Sequence, residues 1–176
     1  MILTRRRTLA IGGGLLATLA APRLALARDR ETIEMRGTAR GEHVWFAPYG
    51  LAVAPGTVVR FVNLDAGNSH TATTYHPAIL DRPLRIPQGA EPWDSDYLLP
   101  DESFEVTLTV PGVYDYYCQP HEFAGMVGRI VVGSPDSPGW QPASDEVGDI
   151  PEEALAMFPP VEAILRAGRI FPEDAS

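Results

Sequence analysis

One short segment limits what this chain can become. Tyr117-Cys118-Gln119-Pro120-His121-Glu122-Phe123-Ala124-Gly125-Met126 carries a thiol, an imidazole and a thioether at the spacing Cys-x2-His-x4-Met, and Cys118 is the only cysteine among the 176 residues. Strand-like runs flank the segment, Val113 to Cys118 before it and Gly128 to Val132 after it, so it reads as a loop joining neighbouring strands. Pro120 and Gly125 restrict its backbone path, one by fixing φ and the other by allowing conformations closed to other residues. Such a loop can present three donors on one side. A fourth has to arrive from a distant part of the chain. His70, which follows the strand-like run Thr57 to Asn63 and the polar loop Asp65 to Ser69, is the residue placed to supply it.

The donor types then point to a chemistry. A thiolate, two imidazoles and a weak thioether are the ligand set of a mononuclear copper site that transfers electrons. The soft sulfur of Cys118 favours Cu(I), imidazoles from His70 and His121 suit both oxidation states, and Met126 would add a long axial contact. A lone cysteine excludes an internal disulfide, and an unpaired thiol in an exported protein calls for a reason, which metal ligation supplies. Other readings of the same residues stay open. They are a buried inert thiol, a copper-handling chaperone or scavenger without rapid electron exchange, zinc in place of copper, and a Cys-His nucleophile. The compact Cys-His-Met loop favours the electron carrier over the chaperone, whose sites tend to be open and Met- or His-rich.

The rest of the chain reads as an all-β domain. An edge strand is expected around Thr32 to Met35, and short strands at His43 to Phe46 and Leu51 to Val53 around a Pro48-Tyr49-Gly50 turn. A half-buried strand at Thr57 to Asn63 alternates Val59 and Phe61 against Val58, Arg60 and Val62. Phe104 to Val110 is the most regular alternation. Residues 74–101 hold five prolines, with Trp93 and Tyr97 as anchors, and read as a long ordered loop with one helical turn. Short strands with Pro-Gly turns at this spacing predict an antiparallel Greek-key sandwich. After Ser134 the pattern changes. Pro151 and Pro160 sit where helices could begin, Glu152 and Glu153 suit a first helical turn, and Gly168 could end the second helix. Leu155, Met157, Phe158, Val161, Ile164 and Leu165 would pack these helices on the sandwich. The expected organisation is an export signal at 1–27, the β-domain at 28–133 and a helical C-terminal extension at 134–176.

Residues 1–27 combine Thr4-Arg5-Arg6-Arg7-Thr8-Leu9, a mild apolar stretch of 13 residues from Leu9 to Ala21, and an Ala25-Leu26-Ala27 cleavage site. The plan is that of a secretory signal. The paired arginines and Arg23 near the cleavage site resemble a twin-arginine signal, and an ordinary secretory signal or an uncleaved anchor are the other readings. The stretch is short for a membrane span. Cleavage would leave 149 residues, enough for one core. All 14 basic residues are Arg. Losing Arg5, Arg6, Arg7 and Arg23 leaves 10 of them against 23 acids, a net charge of −13. That balance argues against nucleic acid and favours steering toward a basic partner, or serves solubility alone.

Residues 112–132, from Gly112-Val113-Tyr114 through the Cys118 loop to Val131-Val132, resemble the copper loop of plastocyanins. Phe46-x-Pro48 and Val53-x-Pro55-Gly56-Thr57-x-Val59-x-Phe61-x-Asn63 resemble the same family, and Ile86-Pro87-x-Gly89-Ala90-Glu91 with the helical tail is similar to pseudoazurins. The resemblance implies a cupredoxin-type Greek-key β-sandwich and one type 1 copper ion held by His70, Cys118, His121 and Met126. It implies a monomeric, non-enzymatic carrier that shuttles single electrons between larger redox proteins, such as a cytochrome or a copper oxidoreductase; the export signal for its part implies a periplasmic or extracytoplasmic protein with no stable membrane span after cleavage. It further implies that His121 emerges through an apolar patch where partners dock, for which Pro120, Phe123, Ala124, Pro48 and Tyr49 are the candidates. The sequence departs from the family at Thr71, where Asn usually follows the first ligand histidine; its hydroxyl could tie the two ligand segments together. His76, in Thr74-Tyr75-His76-Pro77, is an additional imidazole that either reaches the metal, a second ion or a partner, or lies exposed in its loop. His43 reads as an exposed histidine.

Overall fold

A computed structural model describes residues 29–172; the export signal expected at 1–27 lies outside them. Among the described residues nine strands form two sheets. In chain order they are β1 (Arg30–Gly37), β2 (Val44–Ala47), β3 (Gly50–Val53), β4 (Thr57–Asn63), β5 (Thr73–Thr74), β6 (Ser103–Leu108), β7 (Gly112–Tyr117), β8 (Val127–Val132) and β9 (Arg169–Ile170). The first sheet runs β2-β1-β4-β6 and the second β5-β7-β8-β3-β9. Most pairings are antiparallel, but β1 pairs β4 and β3 pairs β8 in parallel. The chain passes repeatedly from one sheet to the other, so residues distant in sequence meet at the ends of the sandwich.

The alternation in β4 places Val59 and Phe61 inside and leaves Val58, Arg60 and Val62 half-buried on the outer face, as the period of two requires. Ile33, Met35 and Phe46 join them from the first sheet, facing Leu51, Tyr114, Tyr116, Ile130 and Val132 of the second. Tyr116 is the centre of this layer. Its ring lies edge-on to Phe46 at 4.8 Å and to Phe61 at 5.2 Å between centroids, the geometry the ring quadrupoles prefer.

Strands β7 and β8 are buried on both faces, and the tail supplies the second cover. Two short helices, α1 (Glu152–Met157) and α2 (Val161–Ala167), each follow a proline, Pro151 and Pro160. Proline leaves no amide hydrogen to satisfy there. Ala154 packs with Tyr75, Tyr117 and Val127, and Ile164 with Val113 and Val131. Leu155, Phe158, Val161 and Leu165 are half-buried against these clusters, whereas Met157 is 43% exposed. The tail then adds β9 to the edge of β3, a strand two residues long and therefore without a pattern to read.

Residues 74–101 are ordered but contain no helical turn, contrary to the expectation from sequence. Isolated bridges hold the segment instead, Thr73 to Asp94 and His70 to Leu98. A buried ion cluster pins its middle. Asp115 on β7 accepts from Arg85 at 2.7 and 2.9 Å and from Arg129 on β8 at 2.7 and 3.0 Å. Arg129 also donates to the carbonyl of Pro159 at 3.0 Å, and both guanidinium groups lie over the ring of Phe158. One carboxylate thus joins the long loop, the second sheet and the tail. Removing one member of such a buried set costs about 3–5 kcal/mol, because the remaining charge is left without its partner.

Candidate metal centre

Strand β7 ends at Tyr117, so Cys118 is the first residue past it, still in extended conformation with φ −96° and ψ 116°. Gln119–Ala124 then form a short 3-10 turn with Pro120 near its start. The turn closes through its backbone: His121 N–H donates to Cys118 O at 3.0 Å, Met126 N–H to His121 O at 3.2 Å and Cys118 N–H to Met126 O at 3.0 Å. Gly125 makes the closure with φ 77°, and a Cβ there would lie 2.9 Å from Cγ of Met157, so both conformation and space select glycine. Cys118, His121 and Met126 are thereby tied to one another before any metal is considered.

The second arm comes from the segment that leads from β4 in the first sheet to β5, the neighbour of β7 in the second. His70 exchanges two backbone hydrogen bonds with Leu98, at 2.8 and 3.1 Å. Its Nδ1 lies 3.6 Å from Sγ of Cys118, and Nδ1 of His121 lies 3.3 Å from the same sulfur. The three donor atoms all lie within 4.8 Å of one another. His70, Cys118 and Met126 are fully buried, whereas His121 is half-buried. Thr71 joins the arms. Its N–H donates to Sγ of Cys118 at 3.3 Å, and its hydroxyl accepts from Gln119 N–H at 2.9 Å. The tie expected of Thr71 therefore exists, with a hydroxyl as the acceptor.

Further groups brace each arm. Nε2 of His70 lies 3.0 Å from Oδ2 of Asp65. On the loop, Glu122 is buried beside exposed Phe123; it accepts from the hydroxyl of Tyr75 at 2.7 Å and pairs with Arg82. Arg82 lies over the rings of Tyr75 and Tyr117, which stack at 4.3 Å. None of these partners carried a sequence signal of its own. Asp65 stood only as one member of a polar loop, and Glu122 as one charged residue in a turn.

Burial governs the protonation of the site. It lowers the His70 imidazole below its ordinary value against the opposing pull of Asp65. It also lowers His121, assisted by the proximity of His70. Both rings are therefore neutral near pH 7, with lone pairs available to a metal. Burial pushes the Cys118 thiol up to about 12, so a metal must displace its proton. The two carboxylates differ. Burial works to raise Asp65, but hydrogen bonds from Asn68, Gly67 and His70 hold it below its usual value. Burial raises Glu122 above its usual value despite Tyr75 and Arg82.

A converging thiol, two neutral imidazoles and an adjacent buried methionine fit a soft, redox-active ion such as copper, and the three ring and sulfur donors already face one another. His76 stays apart from this group; it is half-buried, and its Nδ1 accepts from Ala78 N–H at 3.0 Å. His43 is exposed beside Trp45. Pro120, Phe123 and Ala124 are exposed near His121, with Phe123 at 78%. Pro48 is buried and Tyr49 half-buried, so Pro48 does not belong to that patch: β2 ends beside it and turns it inward.

Comparison with known proteins gives one consistent pattern. Residues 33–133 match the family described as copper binding proteins, plastocyanin/azurin family. A chloroplast plastocyanin of Chlamydomonas reinhardtii is 38% identical over 128 residues, covering 72% of this chain and 82% of that protein. The chloroplast plastocyanin of Physcomitrium patens is 34% identical over 126 residues, 69% of either chain. Among solved structures, a pseudoazurin from Sinorhizobium superposes with a TM-score of 0.56 at 30% identity, covering 80% of this chain and 98% of that one.

Proposed function

The chain belongs to the plastocyanin/azurin family of copper-binding proteins and has the cupredoxin fold, and from that premise we propose that it carries single electrons between larger redox proteins through one type 1 copper ion held by His70, Cys118, His121 and Met126. When bound, copper supplies a one-electron couple between Cu(I) and Cu(II). The residues supply the frame. His70 and His121 turn Nδ1 toward the thiol, Cys118 gives up its proton to become the soft donor, and Met126 lies buried beside them. Thr71 and the closed backbone of the turn hold these donors in one arrangement, so a change of oxidation state demands little movement. The supporting observation is the convergence of three donor atoms within 4.8 Å from two separately braced arms.

The same geometry favours a carrier over a copper-handling protein. Passing an ion to another protein proceeds by ligand exchange at an accessible thiolate, and Cys118 and His70 are fully buried. A nucleophilic role for Cys118 suits the site poorly, since its thiol is protonated at neutral pH and enclosed. The half-buried His121 with exposed Pro120, Phe123 and Ala124 is the proposed point of electron exchange. The acidic balance of the chain would steer a partner with a basic docking face. Among the described residues no helix is long and apolar enough to cross a membrane. With residues 1–27 read as a twin-arginine signal, the proposed location is periplasmic or extracytoplasmic and the proposed state a monomer. Residues 28–133 are the proposed copper domain, and 134–176 its C-terminal extension.

Voltammetry of the copper-loaded protein tests the proposal. A carrier gives a reversible one-electron wave and an intense thiolate-to-copper absorption band. A colourless Cu(II) form with sluggish electrochemistry would favour copper handling. Met126→Leu keeps the band and raises the potential by removing a donor; an unchanged potential would remove Met126 from the ligand set.

A further inference from the structure

The two histidines of the site are held differently on their far nitrogens. No protein group among the described residues bonds Nε2 of His121, whereas Nε2 of His70 meets the carboxylate of Asp65 at 3.0 Å. A neutral imidazole has one N–H, and a carboxylate can only accept, so the hydrogen sits on Nε2 and the Nδ1 lone pair faces Cys118. Asp65 is itself built into place. It is 4% exposed. Asn68 Nδ2 donates to Oδ2 at 2.8 Å and Gly67 N–H to Oδ1 at 2.8 Å, while the Asp65 N–H donates to Asn63 Oδ1 at 2.9 Å. Asn63 is anchored in turn on the carbonyls of Asn68 and Leu98. Gly37 on β1 leaves the room: a Cβ there would lie 2.0 Å from Asp65 Oδ2. Two segments distant in sequence are thus shaped around one buried carboxylate.

We propose that Asp65 is a positioning residue of the metal centre, which fixes the ring of His70 and, through its anionic hydrogen bond to Nε2–H, makes that imidazole a stronger donor, biasing the site toward Cu(II) and lowering its reduction potential. The inference rests on His70 being a copper ligand. The redox step moves one electron and no proton, because Nε2 keeps its hydrogen in both oxidation states. Outer partners of this kind change metal affinity by about 10–100-fold. A tenfold change confined to Cu(II) shifts a one-electron potential by about 59 mV.

The test compares the copper-loaded protein with Asp65→Asn, which keeps the shape and loses the charge. The amide also turns its NH2 toward former donors, either Gly67 N–H or both Asn68 Nδ2 and His70 Nε2–H. The expected result is a retained absorption band, a Cu(II) affinity about tenfold lower and a potential higher by about 59 mV. Asn68→Ala, which loosens the carboxylate without discharging it, shifts the potential the same way by less. In the reduced wild-type protein the Nε2–H of His70 gives a slowly exchanging ¹H–¹⁵N resonance, lost in Asp65→Ala. An unchanged potential in folded Asp65→Asn, or a His70 ring without that hydrogen, overturns the proposal. Should Asp65→Asn fail to fold, Gly37→Ala and Asn68→Ala carry the same comparison of potentials. A wild-type protein without the band would sink the copper assignment first, before any variant is made, and this inference with it.

Discussion

The two arms of the candidate centre solve opposite problems. The His70 arm is closed: its ring is fully buried, hydrogen-bonded at Nε2 by Asp65 and fixed to Leu98 through its backbone. The 118–126 arm is tied tightly along its backbone but keeps His121 half-buried, beside exposed Pro120, Phe123 and Ala124. Its brace is the Tyr75–Glu122–Arg82 set, buried at Tyr75 and Glu122 and reaching the surface through Arg82, which also pairs with exposed Asp149. One arm is arranged to hold and tune, the other to meet a partner. A centre that exchanges electrons without exchanging its metal needs both, because an electron can cross a half-exposed ring while the ion stays enclosed.

The largest expected effect separates the arms by access. His121→Gly and His70→Gly should each abolish the charge-transfer band. Added imidazole should restore it in His121→Gly, whose vacated position opens to solvent, and leave His70→Gly colourless; equal rescue of both, followed by absorption titration, would erase the distinction. Next comes Glu122→Ala, which strips Tyr75 and Arg82 of a buried acceptor. A loss of about 1–3 kcal/mol in urea unfolding is expected, with the band retained because no proposed ligand is touched.

The acid response of the metal-free protein sharpens the same comparison. Asp65 is held below its usual value of 3.8, so its contribution to stability is present above that value and is lost as pH falls through the depressed one. Glu122 is raised above 4.5, so the folded form holds the extra proton just above 4.5 and stability declines as pH rises through the raised value. Urea midpoints between about pH 3 and 7 should therefore lose their low-pH fall in Asp65→Asn and their decline above pH 4.5 in Glu122→Gln. A common response in both variants would mean that the two carboxylates are not set apart. The smallest effect belongs to Thr71→Val, which cuts the hydroxyl tie to Gln119 but keeps the backbone donor to Cys118. About 0.5–1.5 kcal/mol of stability should be lost, with a modest broadening of the copper signals in electron paramagnetic resonance.

The ligand loop was legible because its donors lie within nine residues and its spacing is their chemistry. His70 was legible as the histidine after a strand and a polar loop. The strands β4 and β6 were legible from alternation, β7 and β8 as strand-like runs on either side of the ligand loop, and α1 and α2 from the prolines before them. The groups that brace the arms were not, since each works through a contact that only folding creates. Asp65 matters because β1 carries Gly37 opposite it. Glu122 matters because Tyr75 and Arg82 arrive from a loop 40 or more positions away. The order of residues 74–101 was readable from Trp93 and the prolines, but its fastening by Arg85 to Asp115 spans 30 positions and leaves no periodic trace. The helical turn expected there is absent because bridges to Thr73 and His70 satisfy the backbone instead.

Anomalous diffraction at the copper edge from crystals of the copper-loaded protein addresses the central claim most directly. The account predicts one strong peak enclosed by Sγ of Cys118 and Nδ1 of His70 and His121, on the Met126 side of the loop. A peak elsewhere, or none between those three atoms, would contradict it.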